Sequence, residues 1–253
     1  MGMYDSPTQR PPEFEINPNS QLAQGLLFAG LGRIRGTTRY QDSSKFGNHG
    51  TLTSMDPATD WVWSNKLQRW CLDFDGSNDY VTTAATTSDV GFLGPITLSI
   101  WAKITTGDYR HLLGKHAGSG ATNSPFDFRT TSNGLSLALL RIGTGTGLNA
   151  VGPLTIGGEW AHYAVTSTRV DAYPVWYVNG VASSSSGGLG TTEFATGTNA
   201  PIRLGIRADD GVKLLGSTSD ALIHSRILSP AEIRILADPS NVMLGGLIIP
   251  PKR

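Results

Sequence analysis

The sequence of 253 residues lacks the features of a disulfide-stabilised, strongly charged or membrane-anchored protein. Its single cysteine, Cys71, excludes an internal disulfide and a cysteine-rich zinc site. Basic and acidic residues balance at 20 each, so no net field attracts the chain to nucleic acid or to anionic lipid. We therefore expect neither a nucleic-acid partner nor a membrane partner.

Targeting segments are also missing from the sequence. The first five residues have neither the basic nor the apolar region of a secretory signal, which predicts a protein that is not exported by that route. No apolar run approaches the roughly 20 residues of a membrane-spanning helix. Hydrophobic residues still make up 39% of the chain, which is enough for a buried core. The 31 glycines and 14 prolines favour many strands joined by tight turns.

Strands are predicted wherever apolar and polar residues alternate. This period of two is clearest at 70–74, 96–104, 135–139 and 202–206. Asn179-Gly180 lies between two apolar runs and suits the positive φ angles of a two-residue hairpin. Frequent strands with little helix predict an all-β fold, an antiparallel two-sheet sandwich.

One short helix near the C-terminus is predicted by its capping residues. Ser229 is a suitable N-cap, Pro230 suits the first helical position, and Glu232 lies three residues after the cap. Asp238-Pro239 then ends the helix, because the residue before a proline disfavours helical backbone.

The two ends of the chain differ in composition from the body. Residues 1–20 are rich in proline and predict an extended N-terminal arm, and residues 239–253 predict an extended C-terminal tail. The sandwich is then expected over residues 21–238. Short apolar pieces in such arms cannot bury themselves alone, so we expect them to dock on neighbouring chains of an assembly. The residues concerned are Phe14, Ile16, Leu247, Ile248 and Ile249.

Six segments, taken in order, carry a resemblance to a known family. They lie at 42–52, 72–81, 97–103, 159–166, 176–181 and 220–229. Together they resemble the conserved blocks of concanavalin A-like, laminin-G-like domains, and the resemblance covers about residues 26–236. It implies a jelly-roll sandwich of two curved antiparallel sheets. It does not imply a function, since this fold carries lectins, glycosidases, adhesion modules and virion parts.

The resemblance also implies one structural calcium ion. Asp42 and Asp220 match the family's carboxylate ligands, and Asn48 is a possible additional oxygen ligand. The sequence departs from the family pattern at Phe46 and at Ser219. The alternative is that Asp42 caps a turn and that Asp220 satisfies loop amides.

Sugar binding needs an exposed aromatic surface with polar groups around it. Trp101 and Trp176 alternate with core-type residues and are candidates for such a platform; the alternative is that both are covered. Three further tryptophans, Trp61, Trp63 and Trp70, lie in or beside the loop after Pro57, and one of them is a further candidate for exposure.

Catalysis is not expected from this sequence. The chain has only five glutamates and no clustered pair of the kind that glycosidases of this fold use. The motifs of serine hydrolases, phosphate loops and zinc proteases are absent. Among the histidines, His162 is expected to be a hydrogen-bonded core residue, and His111 and His116 are expected to be solvated.

Three classes of function remain, and the proline-rich arms favour one of them. Domains that resemble this one occur in tailed-phage virion proteins, so we expect a non-enzymatic virion surface protein, such as a decoration or capsid-associated protein. It would be made in the host cytoplasm and attached through its termini to capsid or tail chains. A cell-surface glycan is a second expected partner. The alternatives are a carbohydrate-binding or adhesion module outside virions and an enzyme.

Overall fold

The structure is a computed structural model. It describes residues 15–31, 35–84, 94–105, 109–115, 126–131, 134–140, 147–152, 158–168, 174–183, 200–207, 211, 213–241 and 243–249. Within 134–140 and 147–152 only the backbone is described. Among these residues, no helix is long and apolar enough to cross a membrane.

Two antiparallel sheets form the body. Sheet I has the strand order β15-β14-β13-β8-β17-β6-β5, and β2 also pairs with β17. Its strands are β2 (Leu26–Gly30), β5 (Trp61–Ser64), β6 (Arg69–Asp75), β8 (Ile96–Ile104), β13 (Trp160–Ser167), β14 (Val175–Val178), β15 (Val181–Ser183) and β17 (Leu215–His224).

Sheet II has the strand order β12-β11-β10-β9-β16-β7-β4-β3. Its strands are β3 (Arg39–Tyr40), β4 (Gly50–Thr53), β7 (Tyr80–Thr83), β9 (His111–Lys115), β10 (Phe126–Thr131), β11 (Gly134–Leu140), β12 (Gly147–Gly152) and β16 (Ile202–Leu204). The all-β sandwich predicted from the alternating sequence is thereby confirmed.

The main core lies between the two sheets. Leu98 and Ile100 of β8 are fully buried there together with Phe128 of β10 and Leu204 of β16. Leu98, Ile100 and Leu204 come from the alternating segments, because a period of two places every second side chain on the same face of a strand. The alternation therefore specifies which strand face points into this core.

The predicted hairpin and the predicted helix are both present. Asn179 (φ 50°) and Gly180 (φ 78°) form the two-residue turn between β14 and β15. The helix α1 spans Pro230–Leu236. Its N-terminus has the reciprocal capping pair: Glu232 N–H donates to Ser229 Oγ (3.3 Å), and Ser229 N–H donates to Glu232 Oε2 (2.8 Å).

The outward face of sheet I is covered by α1 and by both ends of the described chain. β1 (Glu15–Ile16) pairs with β18 (Ile248–Ile249) in a small antiparallel ribbon. Short 3-10 turns at Gln21–Ala23 and Leu244–Gly246 adjoin the ribbon. The second apolar cluster gathers residues from these segments and from sheet I: Leu22, Tyr177, Leu222, Ile233, Leu236, Leu247 and Ile248.

This packing corrects the expectation that the arms dock on other chains. Leu247 and Ile248 are buried within their own chain, Ile16 packs against the same cluster, and Ile249 pairs with Glu15. The reason is that sheet I has an apolar outward face, which these residues cover. Phe14 lies outside the described residues. The boundaries at residues 20 and 239 therefore do not separate free arms from the sandwich within 15–249.

Candidate functional site

An aromatic surface lies where β5 forms the edge of sheet I. Trp61 and Trp63 follow each other on one face of β5, and Trp70 of β6 is the cross-strand partner of Trp63. Trp61 is buried; its ring stacks on Tyr40 and its indole N–H donates to the carbonyl of Thr37 (3.1 Å). Trp63 in contrast is 47% exposed. Because residues two apart share a strand face, both indoles lie on the face of β5 that points toward the other sheet. Only the indole of Trp63 also reaches solvent.

Trp63 and Trp70 form an edge-to-face pair with ring centroids 5.6 Å apart. The exposed guanidinium of Arg35 lies over the Trp70 ring, 4.7 Å from its centroid. Such a contact stabilises an exposed arginine by about 0.5 to 1 kcal/mol and holds it beside the indoles. We call Arg35, Trp63 and Trp70 the tryptophan surface.

The turn that follows β5 carries polar side chains. It begins two residues after Trp63 and presents the exposed side chains of Asn65, Lys66 and Gln68. Lys66 Nζ donates to the carbonyl of Trp160 (2.6 Å), which fixes the turn against β13. The aromatic face is therefore close in sequence to the exposed amide groups of this turn and has the guanidinium of Arg35 beside it. Chemically it suits a ligand with one apolar face and hydroxyls at its edge.

The predicted platform of Trp101 and Trp176 is wrong, because both side chains are buried. Trp101 is 2% exposed, and its indole N–H donates to the carbonyl of Leu236 at the end of α1 (3.0 Å). Trp176 is 0% exposed and lies between the sheets against Phe128. The helix thus covers the first tryptophan, and the opposite sheet covers the second.

The carboxylate of Asp42 accepts hydrogen bonds from three backbone amides. Its Oδ1 accepts from the N–H groups of Ala29 (2.8 Å) and Ser44 (2.9 Å). Its Oδ2 accepts from the N–H of Asn48 (2.7 Å) and from the Ser44 hydroxyl (2.8 Å). Asn48 thus contributes its backbone N–H to Asp42. This geometry agrees with the alternative that Asp42 caps a turn.

Asp220 is half of a buried ion pair. It lies at a β-bulge in β17 with φ 47°, and its Oδ2 accepts from Nη1 of Arg69. The Arg69 side chain also donates to the carbonyls of Leu67 (2.8 Å) and Pro239 (3.2 Å). The pair therefore links β6, β17 and the segment after α1.

These partners do not fit a calcium ion shared by Asp42 and Asp220. Calcium takes six to eight oxygen ligands. Four N–H and O–H donors surround Asp42, and a guanidinium faces Asp220. In the described part of the chain, no three His, Cys, Asp or Glu side chains come together as a metal site. The assignment of Asp42, Asn48 and Asp220 to calcium is therefore corrected.

One aspartate has the raised pKa that a general acid would need. Burial and the nearby carboxylates of Asp75, Asp60 and Asp73 raise the pKa of Asp79 to about 6. Its Oδ2, however, accepts from the N–H of Asp75 (3.0 Å), whose own carboxylate accepts from Ser77 N–H (2.7 Å). Catalytic carboxylates of glycosidases flank a sugar. The carboxylates of Asp75 and Asp79 instead accept hydrogen bonds from backbone amides of the turn in which they lie.

His111 was expected to be solvated and is instead fully buried in β9. Its partner is Asp127 of β10, which also binds Arg129. The sequence carries no signal for this cluster, because the three residues meet only through the β9–β10 pairing. His116, in contrast, lies outside the described residues. His162 is buried as predicted, and burial, with a smaller effect of Arg69, lowers its pKa to about 3.

Comparison with known families and structures identifies the fold. A laminin G family model, described as the concanavalin A-like lectin/glucanases superfamily, matches residues 75–234. No curated protein matches the sequence.

Solved structures with the same fold include binding domains of clostridial toxins. The receptor-binding domain of botulinum neurotoxin C/D mosaic serotype has a TM-score of 0.62 at 14% identity, covering 85% of this chain and 51% of that one. The binding domain of Paraclostridial Mosquitocidal Protein 1 gives 0.62 at 16% identity, with 86% and 52% covered. The botulinum neurotoxin serotype C1 binding domain gives 0.64 at 15%, with 86% and 52% covered. This chain thus spans about half the length of these neighbours.

Proposed function

Because the chain belongs to the concanavalin A-like lectin/glucanases superfamily, we propose that it is a non-enzymatic, lectin-like module that binds glycans. The observation that carries the proposal is the tryptophan surface, where Trp63 is half exposed beside Trp70 and Arg35. The C–H face of a sugar ring is apolar and packs on an indole, while its hydroxyls bond polar groups at the rim.

The geometry of the surface supports a sugar ligand in particular. The edge-to-face contact with Trp70 and the pairing of β5 with β6 hold Trp63 in one orientation before any ligand arrives. A preformed aromatic face loses little side-chain freedom on binding, which favours affinity. The exposed guanidinium of Arg35 lies beside it and is a suitable donor to hydroxyls.

The structural neighbours also support a glycan as the class of ligand. The entry of botulinum neurotoxin type C into cells is described as dependent on two ganglioside molecules. The binding domain of botulinum neurotoxin DC was solved in complex with SialylT. Because this chain covers only about half of those domains, the site on this chain is proposed from its own residues.

The test is glycan binding by matched variants. Wild-type protein is screened on an array of immobilised glycans, and affinities are then measured for the bound ones. We expect Trp63→Ala to weaken binding about tenfold or more, since an aromatic contact residue carries at least ~1.4 kcal/mol. Trp63→Phe should retain part of the affinity. Tyr109→Ala, which removes another exposed aromatic ring, is the control and should bind as wild type does.

Two results would overturn the proposal. One is a wild-type protein that retains no glycan on the array. The other is a Trp63→Ala variant that melts normally and binds every glycan as tightly as the wild type.

A virion surface is the setting that we propose for this module, and the pairing of the chain ends supports it. Glu15 is the cross-strand partner of Ile249, so the described part of the chain begins and ends at one ribbon. Attachment at this one place would leave the rest of the sandwich free to bind glycan. The test is co-sedimentation with capsids or tails: deletion of residues 1–14 should abolish attachment, and undiminished attachment would contradict this setting.

A further inference from the structure

The outward face of sheet II carries an excess of positive charge, although the chain as a whole is neutral. One row of directly paired residues crosses this face: Arg39, Thr51, Thr82, Arg203, Gly114 and Asp127. Arg129 and His111 form the next β9–β10 pair on this face, after the inward-facing pair of Phe128 and Leu113. Among the described side chains of these rows, three arginines face one aspartate.

A buried cluster lies at one end of the row. His111 Nδ1–H donates to Asp127 Oδ1 (2.9 Å), and Arg129 Nη1 donates to Asp127 Oδ2 (2.6 Å). The carboxylate only accepts, so the proton of a neutral His111 is on Nδ1. The imidazole lies over Gly114, where an added Cβ would be 2.5 Å from Cε1 and 3.1 Å from Nε2. Asp127 and the glycine thus fix the ring in place.

His111 Nε2 and Arg203 Nε are two of the buried nitrogen atoms that have no hydrogen-bond partner among the described residues. His111 is fully buried and Arg203 half-buried. Burying a polar atom without a partner is unfavourable, and native proteins rarely leave one unpaired. Arg203 and Gly114 are direct partners, with Cα atoms about 4.5 to 5.5 Å apart, so both nitrogens border the same short stretch of the sheet.

We propose that this face is a second ligand site, which binds an acidic sugar of a glycan. Arg203 receives the carboxylate of the sugar, and the bound carboxylate lies close enough to the buried His111 to shift the signals of its ring. Asp127 has its charge matched by Arg129, whereas Arg203 has no acidic partner among the described residues. A guanidinium matches the geometry of a carboxylate, and Thr82 beside Arg203 adds a hydroxyl for the same ring.

The experiment compares acidic and neutral probes on the full chain. Sialyllactose and trigalacturonic acid supply a sialic and a uronic carboxylate, and lactose is the neutral control, each up to about 10 mM. Wild type, Arg203→Met and the control Arg234→Met, an exposed arginine of α1, are titrated by calorimetry. The ring 15N signals of His111 are followed in the same titrations.

We expect at least one acidic probe to bind wild type and to shift the His111 signals, while lactose does neither. Arg203→Met should raise the dissociation constant about tenfold or more, and Arg234→Met should leave it unchanged. The inference is overturned if both acidic probes bind no better than lactose, or if Arg203→Met binds them as tightly as wild type. Trp63→Ala separates the two sites, because it should weaken binding at the tryptophan surface without moving the His111 response.

Discussion

The buried pair of Arg69 and Asp220 gives a prediction that also decides the calcium question. Asp220→Asn keeps the size of the side chain and its tolerance of φ 47°, so it removes the charge with little backbone strain. Both partners are 2% exposed, and the change leaves the guanidinium of Arg69 buried without its counter-ion. Loss of one partner from such a pair costs about 3 to 5 kcal/mol.

The structure places the expected loss at the lower end of that range. Arg69 keeps its bonds to the carbonyls of Leu67 and Pro239 when the carboxylate is gone. A loss of about 3 kcal/mol corresponds to a fall in melting temperature of roughly 6 to 12 °C for a domain of this size. Asp220→Ala should cost about 1 kcal/mol more, because alanine disfavours a positive φ.

The assay is thermal unfolding followed by calorimetry, with and without a chelator. Glu159→Gln is the control for charge loss, since Glu159 is exposed, and its melting temperature should stay near that of the wild type. Arg69→Met combined with Asp220→Asn should recover part of the loss, because no buried charge is left alone. An Asp220→Asn variant that melts as wild type does would contradict this prediction, and so would a chelator that destabilises the wild type as much as the mutation.

Two further predictions concern pH. Burial lowers the pKa of His162 to about 3 and that of His224 to about 4, so the folded state resists protonation. The two histidines contribute their full stabilisation above pH ~6.5. As the pH falls toward 4, the free energy of unfolding decreases by about 1.4 kcal/mol per pH unit for each histidine. Urea unfolding from pH 7 to 4 measures this decrease, and a flat profile would contradict it. Hydrogen bonds from Arg226 and from the Ser229 cap lower the pKa of Glu232 to about 2, so its stabilisation is present above pH ~4.5 and fades below it. Glu232→Gln should cost about 1 kcal/mol at pH 7, after allowance for solvent screening, and nothing near pH 2; equal stabilities at pH 7 would contradict the capping role.

The elements of the fold were predictable because their signals are local. Alternation specifies a strand, and Ser229 with Glu232 specifies a helix start, without reference to the rest of the chain. What covers each strand face, in contrast, depends on residues that are distant in the sequence. Alternation places Trp101 and Ile100 on opposite faces of β8. It does not predict that α1 covers the face on which Trp101 lies. In the same way, the apolar run at Leu247 is visible in the sequence, while its burial against sheet I depends on the path of the whole tail.

The candidate sites were less predictable for the same reason. The sequence offers three tryptophans in or beside the loop after Pro57 as candidates for exposure, and Trp63 is one of them. Only the pairing of β5 with β6 distinguishes Trp63 from the buried Trp61. The cluster of His111 and Asp127 comes from residues 16 positions apart on neighbouring strands, and no spacing rule for a single strand or helix detects it.

The most direct test of glycan binding is to follow the indole N–H signals of the six tryptophans by NMR while a glycan that the array retains is added. We expect the signals of Trp63 and Trp70 to shift with the glycan concentration, while those of the buried Trp101 and Trp176 do not. Shifts confined to other residues, with the signal of Trp63 unchanged at saturation, would contradict the assignment of glycan binding to the tryptophan surface.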